Sequence, residues 1–136
     1  NSILDAGTVH GCACHAMEHE LSAYYDITHG HGLAILTPRW LTYILNENTA
    51  PTIYRLGTKV FGVEEGLEAM AGAEKAITAV SDFCFQTLGL KATLSGLDID
   101  DTHFKDMAEH ACMGGVITGP VNLVPEDVEK IYRMCL

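Results

Sequence analysis

The chain has 136 residues, enough for one domain, or part of one, that buries about two thirds of its unfolded surface. A hydrophobic fraction of 48% against 19% charged residues excludes a disordered chain, and a net charge of −10 argues against a nucleic-acid partner, whose phosphates call for lysine and arginine. No apolar run reaches the ~18 residues of a membrane helix, so no membrane partner is expected. The five cysteines, Cys12, Cys14, Cys84, Cys112 and Cys135, are an odd set with no evident disulfide framework. With no signal peptide, they point to a reducing cytoplasm. The chain opens at Asn1 rather than at Met and soon enters helical sequence, which reads as a piece cut from a longer protein.

Helical periodicity runs nearly throughout. Val9, Ala13, Met17 and Leu21 recur at fours and predict an apolar stripe on a first helix over about 9–25. Residues 26–32 read as a polar, glycine-rich break. A second helix is predicted from about 30 to 45, with Pro38 bending rather than stopping it. Thr49 and Pro51 have the pattern of an N-cap and an early helical proline before Ile53, Leu56, Val60 and Phe61. Val63, Leu67, Met70, Ile77, Val80, Cys84 and Leu88 keep helical spacing up to Gly89, which sits where a C-cap glycine belongs. Asp100 and Asp101 can open a helix carrying Phe104, Met107 and Ala111, closed near Gly114 and Gly115. Pro125 opens a last one with Val128, Ile131 and Tyr132. No sustained alternation of period two, internal repeat or linker occurs. The fold class expected is all-α.

Four of the seven histidines crowd into HAMEHELSAYYDITHGHG, residues 15–32. Cys12, His15, His19 and Ser22 fall at steps of three, four and three, and so share one helix face. A histidine pair at i, i+4 can present two imidazoles to one metal, although such pairs also occur on solvated faces. His29 follows ten residues after His19, and a second helix folded back on the first returns it to the same spot. Gly30 and Gly32 would let the backbone pass close by. Cys12 is either a soft ligand or a small buried hydrophobe. His10 and His31 read as surface or supporting residues, and His103 and His110 as exposed.

Residues 15–19, His-Ala-Met-Glu-His, also fit H-x-x-E-H, a zinc-peptidase pattern in which both histidines bind zinc and Glu18 activates water. That architecture needs a third, acidic ligand far downstream, and no later segment offers one. A non-catalytic helical interaction module is the remaining alternative.

The longer string HAMEHELSAYYDITHGHGLAILTPRW resembles the iron-containing alcohol dehydrogenases, in their NAD(P)H-dependent butanol dehydrogenase branch. The closing LVPEDVEKIYRMCL and the stretch LGLKATLSGLDIDD resemble it too, so the likeness spans essentially the whole chain. It implies the helical-bundle C-terminal domain of the dehydroquinate synthase-like fold, which pairs with an N-terminal nucleotide-binding domain. Residues 1–136 would be a partial C-terminal domain, with the nucleotide-binding domain and the first helices of the helical domain absent. In the family an Asp and a His on an earlier helix bind a divalent metal together with two later histidines fourteen residues apart. His15 and His29 have that separation and match those two ligands. His19 matches a histidine that lies near metal and substrate without being a regular ligand, and a catalytic proton-relay role follows for it. Glu18 becomes a residue of the helix rather than a base.

The cofactors implied are Fe(II) or Zn(II), with NADH or NADPH in the full-length enzyme. The partners implied are a small-molecule alcohol or aldehyde, the N-terminal domain of the same protein, and a second copy in a homo-oligomer. The metal would act as a Lewis acid while hydride passes between substrate and nicotinamide. Alone, the fragment is expected to fold but to catalyse nothing.

Overall fold

A computed structural model describes residues 13–136, so Val9, His10 and Cys12 lie outside the described residues. Among the described residues six α-helices follow one another: α1 (Ala13–Tyr25), α2 (His29–Ile44), α3 (Ala50–Val60), α4 (Ala69–Asp82), α5 (Phe104–Ala111) and α6 (Pro125–Met134). A π-helical turn, Phe83–Thr87, extends α4, and a 3-10 turn occupies Ser95–Leu97. Among the described residues there is no strand, only one antiparallel bridge between Ile117 and Leu123. No helix there is long and apolar enough to cross a membrane.

Two cores divide the bundle. The larger joins α1, α2, α5 and α6 through Met17, Leu21, Ile35, Leu36, Phe104, Met107, Val128 and Ile131. The smaller joins α2, α3 and α4 through Leu41, Ile53, Ala73, Ala76, Ile77 and Val80, and Trp40 packs against both. Ala13, Met17 and Leu21 are buried as their spacing required, which fixes the face that α1 turns inward. The Tyr132 hydroxyl donates to the Met17 carbonyl at 2.7 Å and so ties α6 directly to α1. Burial in that core pushes the Tyr132 phenol well above its ordinary range, and it stays protonated as the donor.

The structure departs from the sequence-based expectations at four places. The break after α1 is short, spanning 26–28, and α2 begins at His29 rather than Gly30. Asp26 takes a left-handed φ of 51°, and the extended Thr28 carbonyl accepts from the His31 and Gly32 N–H groups, which starts α2 early. Thr49 does not cap α3 with its side chain. Its hydroxyl is engaged in the preceding turn, where it accepts from Asn46 N–H at 2.9 Å and donates to the Ile44 carbonyl at 2.8 Å.

Val63 and Leu67 lie outside the helix that their spacing suggested. Gly62 and Gly66 both have positive φ, and the Tyr54 hydroxyl clasps the loop by donating to Glu64 O and accepting from Leu67 N–H. Helix α4 starts only where the Glu68 carboxylate caps the N–H groups of Met70 and Ala71. Asp100 and Asp101 precede α5 without being part of it. Other expectations agree with the structure. Helix α2 runs through Pro38, Pro51 stands in the first turn of α3, and Gly89 leaves the π-helical turn with a φ of 68°.

Candidate metal centre

Helix α1 carries His15 and His19 one turn apart on its exposed side, and α2 presents His29 as its first residue. Because the connection between the helices is so short and α1 packs on α2, the three rings meet. Their centroids lie 6.3 Å apart for His15 and His19, 5.5 Å for His15 and His29, and 5.6 Å for His19 and His29. The triangle brings together the two residues that the resemblance implies as metal ligands and the histidine that it implies beside metal and substrate. Imidazoles at such separations can turn nitrogens toward one divalent ion of the Fe(II) or Zn(II) type.

Beneath the rings lies Glu18, whose side chain is fully buried. One carboxylate oxygen, Oε2, is hydrogen-bonded to His29 Nδ1. The other, Oε1, accepts from Ser22 Oγ at 2.6 Å, and the same hydroxyl reaches the Ile27 carbonyl at 3.2 Å. A buried carboxylate is tolerable only with such partners. Gly32 makes room for it, since a Cβ there would stand 2.8 Å from both Cγ and Oε1 of Glu18. With Nδ1 engaged by the carboxylate, His29 keeps Nε2 for a ligand, on a ring whose side chain is 48% exposed.

Oxygen and nitrogen atoms of Glu18, His19 and His29 also come within 4.8 Å of one another, a set able to hold an ion in its own right. Both Glu18 oxygens already have partners, however, so the histidines are the free donors. The same burial removes Glu18 as a peptidase base. A carboxylate with no exposed surface and two hydrogen bonds has no place for the water it would have to activate.

The remaining candidates lie elsewhere. His31 donates from Nε2 to the Lys91 carbonyl at 2.9 Å. Cys14 is held against Thr37 on α2, and burial pushes its thiol up to about 12, so it offers no thiolate. His103 and His110 are exposed, as expected, yet they are not isolated. Both rings flank Tyr24, at 5.2 and 6.2 Å, and His110 Nδ1 lies 3.5 Å from Glu20 Oε2. That grouping of α1 with the start and end of α5 was missed, although histidines seven apart on one helical face signal it. The burial of Glu18 was missed too. Its signal was the Glu18–Ser22 spacing of four beside the apolar stripe, which permits the side-chain hydrogen bond observed.

Comparison with known proteins identifies the family. Residues 4–136 match the model of the "Fe-containing alcohol dehydrogenase family, C-terminal". The chain is 39% identical over 135 residues to NADH-dependent butanol dehydrogenase A of Clostridium acetobutylicum, covering 98% of this chain and 34% of that protein. It is 40% identical over 136 residues to butanol dehydrogenase B of the same organism, with the same coverage. The crystal structure of NADH-dependent butanol dehydrogenase A from Thermotoga maritima superposes with a TM-score of 0.77 at 30% identity, over 92% of this chain and 33% of that one. The chain thus spans about a third of the length of the curated relatives it matches. An all-helical fold with three converging histidines, matched over nearly its whole length, belongs to the Fe-containing alcohol dehydrogenase family and to its C-terminal region.

Proposed function

We propose that this chain is the metal-binding part of an alcohol dehydrogenase that interconverts a primary alcohol, butanol-like in size, with its aldehyde, NADH or NADPH giving hydride to the aldehyde and its oxidised form taking hydride from the alcohol. The observation that carries the reading is the meeting of His15, His19 and His29 at the α1–α2 junction, in a chain whose relatives are named butanol dehydrogenases. His15 and His29 are the ligands this chain contributes to Fe(II) or Zn(II). The other ligands and the nucleotide site belong to an N-terminal portion of the full-length protein, and residues 1–136 form part of the C-terminal domain.

When bound, the metal supplies Lewis acidity toward an alcohol or carbonyl oxygen. The chain's own residues do the rest. His15 and His29 hold their imidazoles on an exposed face, open to substrate and to the remaining ligands. His19, with its ring 5.6 Å from that of His29, moves a proton between the reacting oxygen and solvent at a ring nitrogen. We place the protein in the cytoplasm, where its free thiols Cys14, Cys84, Cys112 and Cys135 stay reduced. We also place it in a homo-oligomer.

The test is turnover by the full-length protein loaded with Fe(II) or Zn(II). Oxidation of NADH or NADPH with butyraldehyde, followed as the loss of reduced-nicotinamide absorbance, is expected. No turnover of any short aldehyde with either cofactor and either metal would overturn it.

A further inference from the structure

We propose that Glu18 is the positioning residue of the metal centre: its buried carboxylate accepts a hydrogen bond from the Nδ1–H of His29 and thereby commits Nε2 to coordination. The inference rests on the reading of His29 as a ligand. Neutral imidazole carries its proton on either nitrogen, and only the unprotonated one binds a metal. A ligand histidine commonly gives its other N–H to a carboxylate, which fixes the tautomer, orients the ring and raises its basicity.

Glu18 is built for that task rather than for ligation. It is fully buried, Oε2 bonds His29 Nδ1, and Oε1 is held by Ser22, whose hydroxyl is itself anchored within reach of the Ile27 carbonyl. The side chain is therefore clamped by α1 and by the 26–28 connection, while Gly32 of α2 leaves the space it fills. The arrangement holds His29, an exposed residue at the start of a helix, in one orientation beside His15 and His19. Without Glu18 the ring could rotate about χ2 and place its proton on either nitrogen.

The proposal separates geometry from bulk. Glu18→Met keeps a side chain of similar length with no acceptor. Glu18→Gln keeps an acceptor for His29 Nδ1–H, and its amide can donate to the Ser22 oxygen while Ser22 still bonds Ile27. Long-range proton–nitrogen spectra of histidine side chains in the metal-free full-length protein, assigned with His29→Ala, report the tautomer directly. The wild type and Glu18→Gln should show His29 protonated at Nδ1, and Glu18→Met should show protonation mainly at Nε2. Zn(II) titration should show affinity falling ~10–100-fold in Glu18→Met and much less in Glu18→Gln. An Nε2-protonated His29 in the wild type overturns the proposal without reference to any variant. So does a Glu18→Met protein that keeps wild-type tautomer and affinity. If instead His29→Ala leaves Zn(II) affinity unchanged, the assignment of His29 as a ligand fails, whatever Glu18 does.

Discussion

Gly32 lies directly against the Glu18 carboxylate, so closely that a Cβ at Gly32 would stand 2.8 Å from Glu18 Cγ and Oε1 and 3.0 Å from Ile27 Cδ1. Two glycines in one helical turn thus have different physical meanings. Around Gly30 there is nothing within 4 Å of such a Cβ.

Substituting each glycine by alanine separates the two effects. Gly30→Ala is expected to stabilise the fold by ~0.5–1 kcal/mol, because alanine restricts the unfolded chain and suits the helix. Gly32→Ala meets a packed, hydrogen-bonded side chain and should destabilise it by ~1–3 kcal/mol through overpacking. Urea titrations followed by circular dichroism give both values. Equal effects of the two substitutions would show that the Glu18–Gly32 contact is not tight in solution. Gly32→Ala should also weaken Zn(II) binding, since it displaces the carboxylate that holds His29.

Much of the fold was legible because burial follows periodicity. The stripe of Ala13, Met17 and Leu21, the positions Phe104, Met107 and Ala111, and the run Val128, Ile131 and Tyr132 are all inside, as a helix of period 3.6 demands. The same criterion failed at Val63 and Leu67, since two glycines of positive φ ended the helical path that the spacing allowed. Thr49 has the right residue type for a cap, but a hydroxyl can be claimed by either neighbouring segment, and here the Asn46 turn claims it. At the site, spacing alone favoured the His15–His19 pair, whereas the fourteen-residue match favoured His15 with His29. The structure brings all three together, because a short connection places His29 at the start of α2. Glu18 was illegible for a different reason. A glutamate on a helix is ordinarily solvated, and only the partners Ser22 and His29 make its burial possible.

The buried thiols make the fold sensitive to alkali. Cys135 is fully buried, and desolvation pushes its thiol from 9.0 up to about 12 in the folded chain; Cys14 behaves alike. The unfolded chain therefore releases these protons above about pH 9 while the folded one retains them. Their contribution to stability is full below pH 9 and is lost as pH rises from 9 toward 12, at up to ~1.4 kcal/mol per pH unit for each thiol. Urea midpoints measured between pH 8 and 10.5 should fall over this window. The slope should be shallower in Cys135→Ala, even though that variant starts from a lower stability because of the cavity left behind. A slope unchanged by removing either thiol would mean that these groups ionise alike in both states.

Zinc binding by the 136-residue chain alone is expected to be weak, and the reason lies in the number of donors. Stable protein sites commonly use three or four ligands. In the proposed site this chain supplies His15 and His29, and Glu18 is already committed to Ser22 and His29. His19 can join as a third donor, since its ring lies within 5.6 Å of His29 and 6.3 Å of His15, but nothing observed fixes its tautomer as Glu18 does for His29. The two apolar cores meet at Trp40 and give the described residues a packed interior, so the chain is expected to fold alone, which circular dichroism checks before the titration. Calorimetric titration of Zn(II) should give a dissociation constant no tighter than micromolar, and His15→Ala and His29→Ala should each weaken it further. The full-length protein should bind far more tightly under the same conditions. Submicromolar one-to-one binding by the chain, abolished in His15→Ala, would overturn the expectation and show that α1 and α2 hold a complete site.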